Sequence, residues 1–179
     1  MILPIVAYGA AILRTAGRPV TPGEPGLAKL IADMWHTLDN AHGVGLAAPQ
    51  VNRSLQLFLV NSTGVADEEA GIRQVFLNAR ILAYGSGTCA DTEGCLSIPG
   101  IWEEVVRPDT VTLQYQDEHF VTHTRTFYGS TARMIQHEYD HTQGKLYLDY
   151  LAPLQRRLLR SKLEAVRKGK VRSGYPMRT

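Results

Sequence analysis

Hydrophobic residues recur every three or four positions near the beginning and near the end of the chain. Residues 26–41 carry such a series, which predicts an amphipathic helix that Pro25 is well placed to open. Its apolar members are Leu27, Leu30, Ile31, Met34, Leu38 and Ala41. Residues 153–168 repeat the pattern after Pro153 and predict a last helix with basic residues on its other faces. Its apolar stripe is Leu154, Leu158, Leu159, Leu163 and Val166.

A further helix is predicted in the last third of the chain, before the basic one. Ser130 or Thr131 can cap its first turn, and Met134 and Ile135 occupy core positions. Gly144 is typical of the residue that follows a last helical turn, because glycine adopts the left-handed conformation needed there. The segment between the cap and this glycine is therefore predicted to form one helix.

Strand patterns fill the middle of the chain. Apolar runs at 55–60 and 75–82 have the length of buried strands, and a polar loop is predicted near 67–69. Residues 111–115 alternate between apolar and polar types, and a turn near 117 leads into a segment rich in β-branched and aromatic residues. These patterns predict sheet with an antiparallel hairpin.

The segment 43–50 has a different composition from the helix before it. Its small residues and proline break the helical period, which predicts a loop with accessible backbone groups.

Composition and charge narrow the class of protein. With 44% hydrophobic and 20% charged residues in 179, the chain is predicted to be one globular domain over 1–179. Apolar runs fall short of the roughly 20 residues that cross a bilayer, so we expect a cytoplasmic protein with no membrane partner.

Charge is distributed unevenly along the chain. From Pro153 onward there are nine Lys or Arg and one acidic residue, Glu164, which gives this part a net charge of +8. Since the net charge of the whole chain is +2, the remainder carries −6. The basic helix therefore suggests a docking element for a polyanion such as RNA, and a solvated surface helix is the alternative. The tail 169–179 is predicted to fray.

Residues His137 to His141 place two imidazoles and a carboxylate on one predicted helix. Side chains four positions apart lie one above the other, so His137 and His141 can bind one divalent cation. Glu138 can then act as a base on water beside that cation. The pattern predicts a metal site with a built-in base.

Cys95 offers a third ligand from a Glu-Gly-Cys-Leu-Ser segment in which Gly94 permits a tight turn. One Cys and two His leave a tetrahedral metal with an open position, which is typical of catalytic sites. A closed structural site would need a fourth protein ligand, and Cys89 is the only other thiol. Asp140 is interpreted as a supporting carboxylate, and Glu93 as half of an ion pair with Arg107 or Arg133.

In these motifs the chain resembles the peptide deformylase family, bacterial enzymes that remove the formyl group from nascent chains. The family pattern Gly-x-Gly-x-Ala-Ala-x-Gln matches residues 43–50, Glu-Gly-Cys-Leu-Ser matches 93–97, and Gln-His-Glu-x-Asp-His matches 136–141. The similarity extends over nearly the whole chain. One departure is Thr142, where the family usually has Leu.

The resemblance implies an α+β fold in which antiparallel sheets pack around a central helix that carries His-Glu-x-x-His, with an N-terminal helix and a C-terminal basic helix. It implies a hydrolase that releases formate from the N-terminal formyl-methionine of newly synthesised polypeptides. One metal per chain would be bound by Cys95, His137 and His141. Ferrous iron is expected in the cell, with Zn(II), Ni(II) or Co(II) as substitutes.

The resemblance also implies roles around that metal. Glu138 would transfer protons, while the side-chain amide of Gln50 and the backbone N–H of Leu96 would donate to the formyl oxygen. The predicted substrate-binding residues are Gly43, Val44, Gly45, Gly94 and Met134, of which Val44 and Met134 would line an apolar pocket for methionine. Trp102 is a candidate to shape that pocket.

The expected partners are nascent N-formylmethionyl polypeptides and, through the basic helix, the ribosome; DNA is not expected. Two other functions stay open on the residues alone. One is a His-Glu-x-x-His metallopeptidase, although such enzymes generally take their third ligand downstream of the helix and Cys95 lies upstream. The other is a non-catalytic, metal-stabilised module that binds the ribosome.

Overall fold

In the computed structural model, which describes residues 1–65 and 71–179, a run of strands lies between the first helix and the last two. The helices are α1 (Leu27–Asn40), α2 (Gly129–Thr142) and α3 (Pro153–Arg167). The strands are β1 (Ile5–Val6), β2 (Gly45–Ala47), β3 (Leu57–Asn61), β4 (Arg73–Tyr84), β5 (Thr88–Cys95), β6 (Ile98–Pro108), β7 (Thr110–Gln116), β8 (Thr122–Tyr128) and β9 (Met177–Arg178). The polar loop predicted near 67–69 lies outside the described residues.

A five-stranded antiparallel sheet in the order β2-β3-β4-β7-β8 separates two helices. Strand β3 is buried on both faces of this sheet. Leu57 and Leu59 point to one face and pack in a core cluster with α1. Phe58 and Val60 point to the other face and pack in a second cluster with α2. A strand buried on both faces reads as a continuous apolar run, which explains the uninterrupted pattern at 55–60.

A separate antiparallel hairpin, β5–β6, lies beside α2 and joins a third core cluster. Ile98, Ile101 and Val105 of β6 pack there with residues 146–151 and with α3. Because Leu96 and Ser97 form the turn of this hairpin, Cys95 stands at the end of β5 next to the central helix.

The α+β class and the central position of the motif helix are confirmed. The end of α2 is also as predicted, since Gly144 has φ +72° and Lys145 N–H donates to Asp140 O in a Schellman arrangement. The predicted caps are wrong: Tyr128 precedes the helix, and Ser130 and Thr131 lie inside its first turn.

The prediction of a loop over 43–50 is also wrong in part. Residues 45–47 form β2 at the edge of the main sheet, and Ala48–Val51 form a 3₁₀ turn. Pairing with the buried strand β3 outweighs the weak strand propensity of glycine and alanine.

Two predictions about the last part of the chain need correction. The stripe on α3 is only partly buried, because Leu159, Leu163 and Val166 enter the core while Leu154 and Leu158 are 66% and 73% exposed. The frayed tail is likewise wrong, since β9 pairs in parallel with β1. Within 1–65 and 71–179, no helix combines the length and apolar character needed to cross a bilayer.

Candidate metal centre and substrate cleft

Cys95, His137 and His141 meet at one point of the structure. One nitrogen of each ring and the sulfur lie within 4.8 Å of one another, and the Cys95 Sγ is 3.2 Å from the His141 Nε2. The two histidines are neighbours because one turn of α2 separates them, and the β5–β6 turn supplies the thiol from the opposite side. The three predicted metal ligands are thus brought together.

The donor set fits a divalent metal. The His137 Nδ1 lies 2.9 Å from a carboxylate oxygen of Glu93. When Nδ1 carries the ring proton and donates it to that oxygen, Nε2 is free as a ligand atom. Burial, aided by the nearby positive charge of Arg107, lowers the pKa of His141 well below its ordinary value, which favours the neutral ring that binds metal. Cys89 is exposed and is not part of the group, so the set has no fourth ligand within 1–65 and 71–179 and keeps an open position.

Glu138 lies beside this group in a buried position. Its side chain is almost inaccessible to solvent, and among the described residues its Oε2 has no hydrogen-bond partner. Burial raises the pKa of Glu138 to about 7. An unpaired carboxylate with such a pKa is suited to exchange protons near neutrality.

A buried ionic network supports His137 from behind. Glu93 accepts hydrogen bonds from Arg107 and from Arg133, so both candidate partners pair with it. Although burial alone would raise its pKa, the hydrogen bonds from His137 and Arg107 lower the pKa of Glu93 to about 2. The anionic carboxylate can therefore hold the orientation of the His137 ring.

Asp140 belongs to the same network but does not face the metal group. Its Oδ2 accepts hydrogen bonds from Arg107 at 2.8 Å and from the Tyr150 hydroxyl at 2.9 Å. This agrees with its interpretation as a supporting carboxylate. Thr142, the departure from the family pattern, is buried, and its hydroxyl donates to the Tyr139 carbonyl at 2.7 Å, so the polar atom is satisfied.

The Gln50 side chain is held at both ends of its amide. Its Oε1 accepts a hydrogen bond from Ala47 N–H at 2.8 Å, which turns Nε2 toward the metal group. There Nε2 lies 3.5 Å from the Cys95 Sγ and 3.3 Å from the Ser97 Oγ. Sequence analysis missed Ser97, which is fully buried and lies two positions from Cys95.

A cleft of about 590 Å³ opens over the metal group. All predicted catalytic and substrate-binding residues line it, namely Gly43, Val44, Gly45, Gln50, Gly94, Leu96, Met134 and Glu138. Trp102 stands at its rim, 67% exposed, with its ring against Gly94. Residues 172–175 also line the cleft, and no sequence signal pointed to them.

Three comparisons place the chain among known proteins. The family model described as polypeptide deformylase matches residues 2–157. A peptide deformylase of Christiangramia forsetii is 43% identical over 99% of this chain and 96% of its own length, and one of Cytophaga hutchinsonii is 41% identical over 99% and 97%. Among solved structures, a peptide deformylase from Legionella pneumophila superposes with a TM-score of 0.84 at 36% identity, covering 97% of this chain and 99% of its own. One from Ehrlichia chaffeensis gives 0.85 at 29% identity, covering 95% and 97%.

Proposed function

The chain belongs to the peptide deformylase family and removes the formyl group from newly synthesised polypeptides, and we propose that Cys95, His137 and His141 hold the metal on which this hydrolysis depends. The observation that carries the proposal is the meeting of these three side chains beside the buried, unpaired carboxylate of Glu138. A metallopeptidase or a purely structural module is not favoured, because the relatives matched over nearly their whole length are deformylases.

We assign ferrous iron to the site in the cell, at one ion per chain. A thiolate with two imidazoles also suits Zn(II), Ni(II) and Co(II), so availability contributes to the choice. When bound, the metal supplies Lewis acidity that makes water nucleophilic near neutral pH.

Glu138 is the proton carrier in this proposal. Its carboxylate takes the proton from the attacking water and then gives it to the amine that leaves as the formyl C–N bond breaks. The raised pKa of about 7 suits both directions of transfer, because the group can lose and regain a proton at similar cost.

Gln50 and Leu96 stabilise the negative charge that develops on the formyl oxygen. The Gln50 Nε2 is directed into the site by the bond between its Oε1 and Ala47 N–H, so little reorganisation is needed during the reaction. The backbone N–H of Leu96 is the second donor, supplied by the turn that also carries Cys95.

The substrate backbone lies along β2 as an added strand. Strand β2 pairs only with β3 among the described strands, and the cleft runs along its other side. Gly43, Gly45 and Gly94 line the cleft beside the peptide, and Val44 and Met134 contact the methionine side chain.

The test is formate release from formyl-Met-Ala-Ser by anaerobically purified protein whose metal content is measured on the same sample. We expect turnover at about one metal per chain. Glu138→Gln keeps the shape of the side chain but cannot accept the proton, so we expect kcat to fall roughly hundredfold to ten-thousandfold with metal retained.

Glu118→Gln is the matched control, because Glu118 is exposed in the β7–β8 turn. It should keep wild-type turnover. Wild-type kcat in Glu138→Gln would refute the role of Glu138, and turnover that survives removal of all metal would refute the metal assignment.

We further propose that residues 1–179 act as one catalytic domain in which 153–168 is the basic helix and 169–179 the tail. The proposal is supported by the packing of α3 with β6 in one core cluster and by the pairing of β9 with β1. We place the enzyme in the cytoplasm, where ribosomes make its substrate.

We also propose that the basic helix docks on ribosomal RNA. A groove of about 740 Å³ between α3 and the segment 8–14 is lined by Arg156, Arg157 and Arg160. Arg14 and Arg167 also line it, but they pair there with Asp149 and Glu164. Such a surface attracts a phosphate backbone, and binding should weaken steeply as salt rises because counterions are released on association.

Cosedimentation with ribosomes over a salt series tests this docking. Replacing Arg156, Arg157 and Arg160 together by Ala should lower the bound fraction and flatten its salt dependence, while turnover of the free tripeptide stays unchanged. Replacing Arg53, Arg80 and Arg125 together, which keeps the charge change equal, is the control. Equal loss of binding in both triple variants would show attraction by net charge and not docking through α3.

A further inference from the structure

The segment after α3 forms one wall of the cleft. Arg172, Ser173, Gly174 and Tyr175 line it opposite the motif helix. The segment is held in place because Ile5 N–H donates to Pro176 O at 2.9 Å and β9 then pairs with β1. The tail is therefore part of the substrate cleft.

Tyr175 makes a specific contact within this wall. Its hydroxyl donates a hydrogen bond of 2.9 Å to the Leu96 carbonyl oxygen, across 79 positions of sequence. Its ring is partly buried against the core cluster that contains α1, so the hydroxyl has little freedom to move. Burial raises the pKa of Tyr175 to about 12, which keeps the hydroxyl protonated as a donor at neutral pH.

The segment that follows β1 binds the next carbonyl of the β5–β6 turn, that of Ser97. Tyr8, two residues after the end of β1, donates its N–H to Ser97 O at 2.8 Å. The two consecutive carbonyls of the turn thus receive hydrogen bonds from segments that are themselves paired through β1 and β9. This leaves the backbone of Leu96 fixed on its carboxyl side.

We propose that Tyr175 is a positioning residue for deformylation, whose hydroxyl fixes the Leu96 backbone so that its N–H points at the formyl oxygen. The inference rests on the proposed role of that N–H. The Leu96 carbonyl and N–H flank the same Cα, so fixing the carbonyl limits rotation of the residue about that atom. Cys95 limits rotation on the other side when it binds metal.

Tyr175→Phe tests the proposal because it removes the hydroxyl and keeps the ring. We expect kcat for formyl-Met-Ala-Ser to fall about fivefold to twentyfold, with KM within about twofold of wild type. The substitution weakens a contact that forms in the transition state and leaves the binding of the substrate unchanged. Metal content and the thermal unfolding midpoint should stay close to wild type.

A second measurement follows the backbone itself. In the zinc-loaded protein, amide hydrogen exchange at Tyr8, whose N–H donates to Ser97 O in the same turn, should be faster in Tyr175→Phe than in wild type, because the turn opens more often. This measurement reports the motion of the turn whether or not the variant is active.

Tyr128→Phe is the matched control, since Tyr128 is half exposed and lies outside the cleft lining. A raised KM with unchanged kcat in Tyr175→Phe would show that the tail only contacts substrate and would overturn the proposal. Loss of metal, or unchanged kcat with unchanged exchange at Tyr8, would overturn it as well. Failure of the wild type to release formate would instead refute the proposed function, so the two failures are distinguishable.

Discussion

Gln50 shows how a single side chain acquires a role from its surroundings. A glutamine after a proline is ordinarily an exposed loop amide, but this one is 1% exposed. The hydrogen bond from Ala47 N–H occupies its oxygen, and its nitrogen approaches Cys95 and Ser97. The orientation of the amide is therefore set before substrate arrives, which is the condition for effective stabilisation of developing charge.

Gln50→Ala should lower kcat about hundredfold to thousandfold, because one preorganised donor to an oxyanion is lost. Steady-state kinetics on formyl-Met-Ala-Ser would measure the change. Gln155→Ala is the matched control, since Gln155 makes the same local bond to Ala152 N–H at 3.0 Å but lies exposed on α3. Equal kcat in the two variants would contradict the role of Gln50.

At the scale of elements, the short strand β2 and the helix α2 determine each other's position. A Cβ added at Gly45 would lie 2.6 Å from the Glu138 Cγ and 2.7 Å from its carboxyl carbon. The strand can approach the helix this closely only because residue 45 has no side chain. The carboxylate that we propose as the proton carrier is thus placed by a glycine on a neighbouring element.

Gly45→Ala should displace the Glu138 carboxylate and lower kcat by about tenfold or more, because small misplacements of a reacting group are costly. The double variant with Glu138→Ala, whose side chain ends at Cβ, distinguishes this cause from a block of the cleft. Without the Cγ and the carboxyl group of Glu138 the new methyl group has no close neighbour there, so Gly45→Ala should lower the free energy of unfolding less in the Glu138→Ala background than in wild type. Equal losses of stability in both backgrounds would contradict the close approach as the cause.

The elements that could be predicted from the sequence are those with a regular period of burial. The helix α1 and the strand β3 show it over most of their length, and the three motifs pointed to the side chains that meet in the candidate metal site. The hairpin β5–β6 was missed because Thr88 to Thr92 are all exposed and carry no alternation. Strand β9 was missed because its two residues have a partner far away in sequence, and local patterns contain no information about that pairing.

At the scale of the whole molecule, charge contributes to stability through a few paired groups. Asp33 of α1 accepts hydrogen bonds from Lys29 and from the amino group of Met1. These bonds lower the pKa of Asp33 from its ordinary 3.8 to about 2. Since the folded state binds the proton more weakly than the unfolded state, the contribution is complete above the ordinary pKa and is lost as pH falls toward 2.

Asp33→Asn should therefore be less stable than wild type by an amount that depends on pH. We expect the gap in the free energy of unfolding to be largest near about pH 5 and to shrink on acidification to about pH 3, because protonation removes the same charge from the wild type. Urea titrations at both pH values measure it, with Glu118→Gln as an exposed control. A gap that stayed constant would show that Asp33 acts through packing alone.

The pairing of β1 with β9 sets the time at which the site can form during synthesis of the chain. Ile5 pairs with Met177, and Tyr175 bonds the carbonyl of Leu96, so these contacts exist only after residues 175–178 have been made. Closing so long a loop also costs more entropy than any local contact. An enzyme that acts on nascent polypeptides thus has a turn beside its candidate site that its own nascent chain cannot complete before those residues are made.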